Sequence, residues 1–398
     1  MSLELNKLTK EVNALSASVA QRLDELAERL PAAQGGLDAI GAASDALLRK
    51  IEMARRFRWA GAIPTSEPVN ARYPAPPAPA RYTAIAADGS QIYPDRHGVA
   101  LYYLINTGSI VFRAGLAQAP STASTPEVFY EDADLYEEEG RQKPSELIDA
   151  ERDRRELAEL ARLAAAEVQA APTVALLDNG LLLYLSLVIA DPAVIREKID
   201  AYVDELDRLR DSGTAVAGVV DRPRAANVVR LLHLDGLAES EIREEALRDL
   251  GLDYAGLTDG MLFEALMPGE RSALFVHASP NNDIYYRERG HTIYFFYLNA
   301  GRPGKDALLR VEVPEWVAND AARLALVHST LMAQCATTDG FPYVLMRAHE
   351  LAVVTVGERR AFEEMVMGAL IRRQLKAGVS QKAQGKAWTG GGKRRFRG

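Results

Sequence analysis

The chain has 398 residues, 48% of them apolar and 26% charged, the make-up of an ordinary globular protein with one large domain and accessories or two to three smaller ones. No stretch approaches the ~18 uninterrupted apolar residues of a membrane span, the N-terminal segment lacks an apolar export core, and the single cysteine, Cys335, excludes an internal disulfide and a multi-cysteine zinc site; a cytoplasmic chain is expected. The net charge of −8 speaks against a polyanion partner, yet no acid follows Glu364 while Arg372, Arg373, Lys376, Lys382, Lys386, Lys393, Arg394, Arg395 and Arg397 do. Such a Gly-rich basic tail binds nucleic acid by neutralising phosphates or serves as a solubility tail.

In chain order, residues 3–56 are expected to be helical. Leu5, Leu8, Val12, Leu15, Val19 and Leu26 recur at alternating spacings of three and four, with Arg22 in the remaining place. That is a short coiled-coil seam, or a face packed on the chain's own domain. "PAAQGG" at 31–36 reads as a break before a second helical stretch to about Trp59. The Pro-rich 62–82 segment suits neither a helix nor a central strand and reads as an extended connection. These shifts divide the chain into a helical region (1–60), a connection (61–81), a core domain (82–376) and a basic tail (377–398).

Three strands follow, Tyr82–Ala87, Val99–Ile105 and Ser109–Ala114, with "DRHG" and "NTG" as the turns of an antiparallel meander. A helix is expected from Ser145, its N-cap, to Val168, then a strand, "APTVALLD", ending on Asp178. Beyond lie a helix (Ile195–Arg210), a buried strand (Ala215–Val220) ending on Asp221, and a helix (Ala225–Leu234). Three more strands (Ala273–His277, His291–Leu298, Leu308–Val313) and two helices (Trp316–Cys335, Glu358–Lys376) complete the pattern. Strands in a meander and then alternating with helices give an α/β fold, a mixed sheet flanked by helices with an N-terminal helical extension.

Two strands of the same kind, "YTAIAAD" and "TVALLD", thus end on aspartates, Asp88 and Asp178. Adjacent carboxylates at one sheet edge repel unless a cation sits between them. Magnesium or manganese needs hard oxygen ligands, and two such ions about 3.5–4 Å apart clamp the attacking and leaving oxygens of a phosphoryl transfer. The alternative is that each Asp caps a turn with its own backbone. A third carboxylate would come from the intervening helix, which offers Glu151, Glu156, Glu159 and Glu167; Glu156 and Glu159 share a face. His233 and His328 fall on helix patterns and read as packing or surface residues, His97 lies in a turn, and His291 opens a strand. His349, in "YVLMRAHELAVVT", is a hydrogen-bonded core residue, a metal ligand or a general acid/base. No P-loop, GxGxxG, GxSxG or HExxH pattern occurs, and Cys335 has no evident activating partner.

"AADGSQIYPD", "VALLDNGLL", "GLTDGMLFEALMPGERSALF", "YFFYLNAG…LRVEVPEWV" and "DGFPYVLMRAHELAVV", in that order, resemble the NurA-type nucleases over roughly Tyr82 to Thr355. The resemblance implies an RNase H-like core and a manganese-dependent DNA nuclease (magnesium the substitute, two ions bound). It also implies a 5′–3′ exonuclease with single-strand endonuclease activity, acting in DNA end processing and repair as a homodimer with a HerA-type hexameric ATPase, in the nucleoid of the cytoplasm. The family's Asp-Gly-Ser matches Asp88, Gly89 and Ser90. Its second Asp-Gly matches Asp178, with Asn179 intervening before Gly180, and its helix glutamate matches Glu156, with Glu159 or Glu151 as fallbacks. The late Ala-His pair matches Ala348 and His349. Asp88, Glu156, Asp178 and His349 are therefore the implied catalytic and metal-binding set, and Arg222 and Arg224, with Lys393, Arg394, Arg395 and Arg397 of the tail, the implied DNA contacts. The residues alone leave cleavage polarity open. A non-catalytic DNA-end clamp for the ATPase and a metal-dependent phosphatase are the rival readings.

Overall fold

The Asp-Gly-Ser step expected at a strand end lies inside a strand. In the computed structural model, which describes residues 4–137, 140–167, 171–185, 189 and 191–373, one strand runs Tyr82–Ile92 and carries the step through its second half. It pairs antiparallel along its length with Tyr103–Ala114, Asp88 opposite Gly108. The expected turn at "NTG" is therefore part of a continuous strand. Gly89 and Gly108 read as turn signals in the sequence, but a glycine inside a strand also marks where another backbone or side chain comes close.

The chain divides into two compact units. One comprises Arg81–Leu177, Leu183–Thr214 and the segment from Val344 onward. Its four strands lie in the order Thr173–Leu177, Tyr82–Ile92, Tyr103–Ala114, Ser121–Phe129. The last three form an antiparallel meander, and the first pairs parallel with Tyr82–Ile92. A parallel pair needs a crossover, which the helix Ser145–Glu167 supplies. A meander joined through a helix to a parallel fourth strand is the arrangement an RNase H-like core predicts. The strand Ser121–Phe129 escapes the sequence pattern because eight of its nine residues are exposed and it contains Pro126, both marks of an edge strand.

The pleat divides this sheet's neighbours. On the face of Gly89, Gln91, Ser109 and Arg113 lies Ser145–Glu167: Ser109 Oγ donates to Glu159 (2.8 Å) and Arg113 Nε to Glu167 (2.8 Å). On the face of Asp88, Ser90, Asn106 and Gly108 lies the helix Tyr343–Ala352. There Ser90 Oγ and Asn106 Nδ2 donate to the Ala352 carbonyl (2.5 and 2.8 Å). A Cβ at position 108 would stand 2.4 Å from Ala352 N and 2.5 Å from the Ala348 carbonyl oxygen, so the glycine is what lets this helix backbone rest on the sheet.

The other unit comprises Met1–Ala80, Asp178–Leu182 and Ala215–Tyr343. Its main strands run Ala62–Pro64, Phe275–His277, Ile293–Asn299, Leu308–Pro314, Ala215–Asp221, every neighbouring pair antiparallel. Leu47, Ile51, Trp59, Val228, Leu231, Phe275 and Phe295 belong to its core. The helix Thr9–Ile40 passes straight through "PAAQGG", where a break was expected. Pro31 costs a backbone hydrogen bond, but Leu26, Ala33 and Leu37 are buried on the core on either side of it, and their packing outweighs the loss. The helix ends instead at Gly41, with φ +53°. The second helix is Asp45–Arg55, capped by Ser44. The fold is α/β with a mixed sheet flanked by helices and an N-terminal helix. Among the described residues no helix is long and apolar enough to cross a membrane.

Candidate active site

Asp88 and His349 meet. Asp88 follows the six buried residues Tyr82–Ala87, where the strand passes from full burial to half-burial. Its Oδ1 accepts from Gly89 N at 2.8 Å, and its Oδ2 stands 2.7 Å from His349 Nδ1. His349 lies in the last turn of the helix that Gly108 seats, with 61% of its side chain exposed against 15% for Asp88. A carboxylate can only accept, so Nδ1 carries the proton and Nε2 is left to act as a base or a ligand.

Of the four candidate helix glutamates, one reaches this step. Glu156 Oε1 would lie 2.7 Å from a Cβ on Gly89, and the Glu156 side chain is nearly buried. Glu156 thus approaches on the Gly89 face and His349 on the Asp88 face. Glu151 is held by Arg154 and Arg155 at 2.7 and 2.8 Å; burial pushes its carboxyl up, but the two guanidinium groups prevail and hold it below the usual carboxylate range. Glu159 takes Ser109 and both donors of Arg162. Those two are spent on structure.

Asp178 follows the last residue of Thr173–Leu177, which pairs in parallel register with Ala87, and is exposed. It belongs to the other unit. Asn179 closes its own turn by accepting from Gly180 N at 2.8 Å. The next amide, Leu181 N, donates to Glu312 at 2.9 Å, and a Cβ at Gly180 would fall 2.8 Å from Glu312 Oε2. The Asn-Gly pair thus fits a buried carboxylate that no sequence pattern flagged. Arg222, with φ +47°, and Arg224 are exposed in the loop after Ala215–Asp221. Lys393, Arg394, Arg395 and Arg397 lie outside the described residues.

Other side chains on the Gly89 face were not singled out in the sequence. Arg152 reaches Asp153 (2.6 Å), Glu156 (3.2 Å) and Gln91 (3.1 Å). Asp149 accepts from Gln91 Nε2 at 2.8 Å and Tyr93 Oη at 2.5 Å. Burial pushes the Asp153 carboxyl up, Arg152 opposes this, and Asp149 and Asp88 add to it. The signal was available: Asp149, Arg152, Asp153 and Glu156 stand three and four apart, one stripe of a helix. Among the described residues no three His, Cys, Asp or Glu side chains stand close enough together to hold a metal ion. The donor types nevertheless suit a hard divalent cation, two carboxylates and an imidazole around a glycine that keeps a Cβ out of the way.

A sequence profile of the NurA domain matches residues 82–354. No curated protein sequence matches the chain. Among solved structures, the NurA nuclease from Sulfolobus solfataricus is similar over 83% of this chain and 92% of its own, at 15% identity and a TM-score of 0.45. Human endonuclease V (80% and 98% covered, 15% identity, TM-score 0.30) and a type 1 RNase H with the type 2 active-site motif (38% and 67% covered, 14% identity, TM-score 0.21) are also similar.

Proposed function

We propose, from the premise that this chain belongs to the NurA family, that it is a nuclease whose reaction is centred on Asp88, with Glu156, Asp178 and His349 completing the catalytic set. The observation that carries this reading is the Asp88–His349 contact at 2.7 Å with Glu156 against the next residue, Gly89. A divalent cation, manganese in preference to magnesium and two ions at full occupancy, would be held by Asp88, Glu156 and Asp178, with His349 either a further ligand or the proton shuttle; when bound it supplies an activated water and neutralises charge on the phosphate.

The chain's own residues supply positioning and proton transfer. Asp88 fixes the His349 tautomer, so that Nε2, on a largely exposed ring, can take a proton from the attacking water or return one to the leaving oxygen. Gly89 lets the Glu156 carboxylate close on the strand. Exposed Arg222 and Arg224, with Lys393, Arg394, Arg395 and Arg397, attract the phosphate backbone of DNA. The full chain incubated with end-labelled single- and double-stranded DNA and manganese should cleave it, as a 5′–3′ exonuclease and as an endonuclease on single strands. Chelator and Asp88→Ala should each abolish cleavage. Cleavage retained in Asp88→Ala would remove Asp88 from the reaction, and a folded wild-type protein that binds DNA ends without cutting would leave the clamp reading.

A homodimer that works with a HerA-type ATPase in DNA end processing, in the nucleoid of the cytoplasm, belongs to the same proposal. Support for the dimer comes from the helix Thr9–Ile40 and the turn before it, where Leu5, Leu8, Val12, Leu15 and Val19 are exposed at alternating spacings of three and four. With Val12 and Val19 as a and Leu8 and Leu15 as d positions, this part of the seam has the β-branched-a, leucine-d pattern of two parallel strands.

A further inference from the structure

Arg152 sits where a cation is wanted. Its guanidinium spans Asp153 (2.6 and 3.2 Å), Glu156 (3.2 Å) and Gln91 (3.1 Å), and its Cγ would lie 2.6 Å from a Cβ on Gly89. Asp149, held by Gln91 and Tyr93, stands on the same stripe. The helix therefore presents Asp149, Asp153 and Glu156 to one strand, and Asp88 adds a carboxylate from the strand itself. Of these contacts the one to Asp153 is the tighter and the one to Glu156 the looser. Arg152 can release Glu156 and stay anchored.

We propose that Arg152 is the resident counter-cation of this site, a positioning residue that holds Glu156 against Gly89 and competes with an incoming divalent ion for its carboxylate. Arg152 thereby sets how much metal the site needs before it assembles. A permanently charged side chain close to a partly buried carboxylate weakens the binding of any second cation there.

The proposal rests on the reading of Asp88, Glu156 and His349 as metal ligands, and the test separates the two. Manganese alone is titrated by calorimetry into full-length wild type, R152Q and R152K, and the melting temperature of each is recorded with and without the ion. R152Q is expected to bind manganese about tenfold more tightly and to gain more in melting temperature from it than wild type does. R152K keeps a point charge but not the fork that spans two carboxylates, and is expected to bind about threefold more tightly. Should R152Q fail to fold, R152K decides alone. Wild type that binds manganese with variants that bind it equally or more weakly would overturn the role of Arg152 and leave the ligands standing. Folded wild type, R152Q and R152K that all bind no manganese would overturn the metal reading, and this inference with it.

Discussion

The two units spend their charges differently. In the unit of Ala215–Tyr343 the buried charges are saturated. Asp259, fully buried, accepts from the amides of Asn227, Val228 and Val229 at 2.9–3.0 Å and from Tyr297 Oη at 2.8 Å, which fixes the start of the helix Asn227–Gly236. Arg310 is bound to Glu312 (2.9 Å), Asn227 (2.9 Å) and Tyr297 (3.2 Å), and stacks 3.8 Å over Phe295. Burial raises the Asp259 and Glu312 carboxyls; Arg310 prevails at Glu312 and holds it down, whereas burial prevails at Asp259. In the other unit Asp88, inside a strand, and Arg152 and His349, on the helices beside it, are partly exposed. Saturated buried charge specifies a fold; half-exposed charge with exchangeable partners is available to a substrate.

The largest effect of a single substitution should fall on the saturated side. Asp259→Ala leaves three amides and Tyr297 without their acceptor and removes one of the two carboxylates acting on Arg310, and should cost about 3–5 kcal/mol of stability by urea denaturation. A loss below about 1 kcal/mol would break the contrast. Acid should act next. Burial lowers the pKa of both His277 and His328 to about 4, so below pH ~6.5 the unfolded chain takes up protons that the folded chain refuses. Stability is full above pH ~6.5 and declines by about 1.4 kcal/mol per pH unit per histidine down to about 4. His328→Gln should flatten that slope by one histidine's share in pH-dependent urea titrations.

Two smaller effects sharpen the comparison on the chemical side. Gly108→Ala drives a methyl group into the backbone at Ala348 and Ala352; it should cost about 2 kcal/mol and lower turnover more than DNA affinity, because His349 shifts with its helix. Equal changes in KM and kcat would argue otherwise. On the dimer seam proposed above, Leu15→Asp should convert dimer to monomer in light scattering, since Leu15 is exposed in the single chain.

How far the sequence could be read follows the same division. The strand carrying Asp88 and the crossover helix were legible from periodicity, whereas Glu156 and His349 were singled out by the family resemblance and not by spacing. The continuous strand through Asn106-Thr107-Gly108 was not, because glycine reports permissiveness without saying whether a turn or a close neighbour uses it. The passage of the first helix through Pro31 depends on contacts of Leu26, Ala33 and Leu37 with distant residues, which local propensity does not contain. Arg152 and Asp153 were hidden among many helix charges, and the Glu312–Leu181 contact joins residues 131 positions apart.

The most direct test sets Asp88→Asn beside Asp259→Asn, measuring manganese-dependent turnover per folded molecule and the urea midpoint of each. Asp88→Asn should lose at least about hundredfold in turnover, or 2.7 kcal/mol of barrier, with an unchanged midpoint, and Asp259→Asn should lose stability while its folded fraction cuts DNA at the wild-type rate. Equal turnover in wild type and Asp88→Asn, or a midpoint in Asp88→Asn that falls as far as that of Asp259→Asn, would contradict the account.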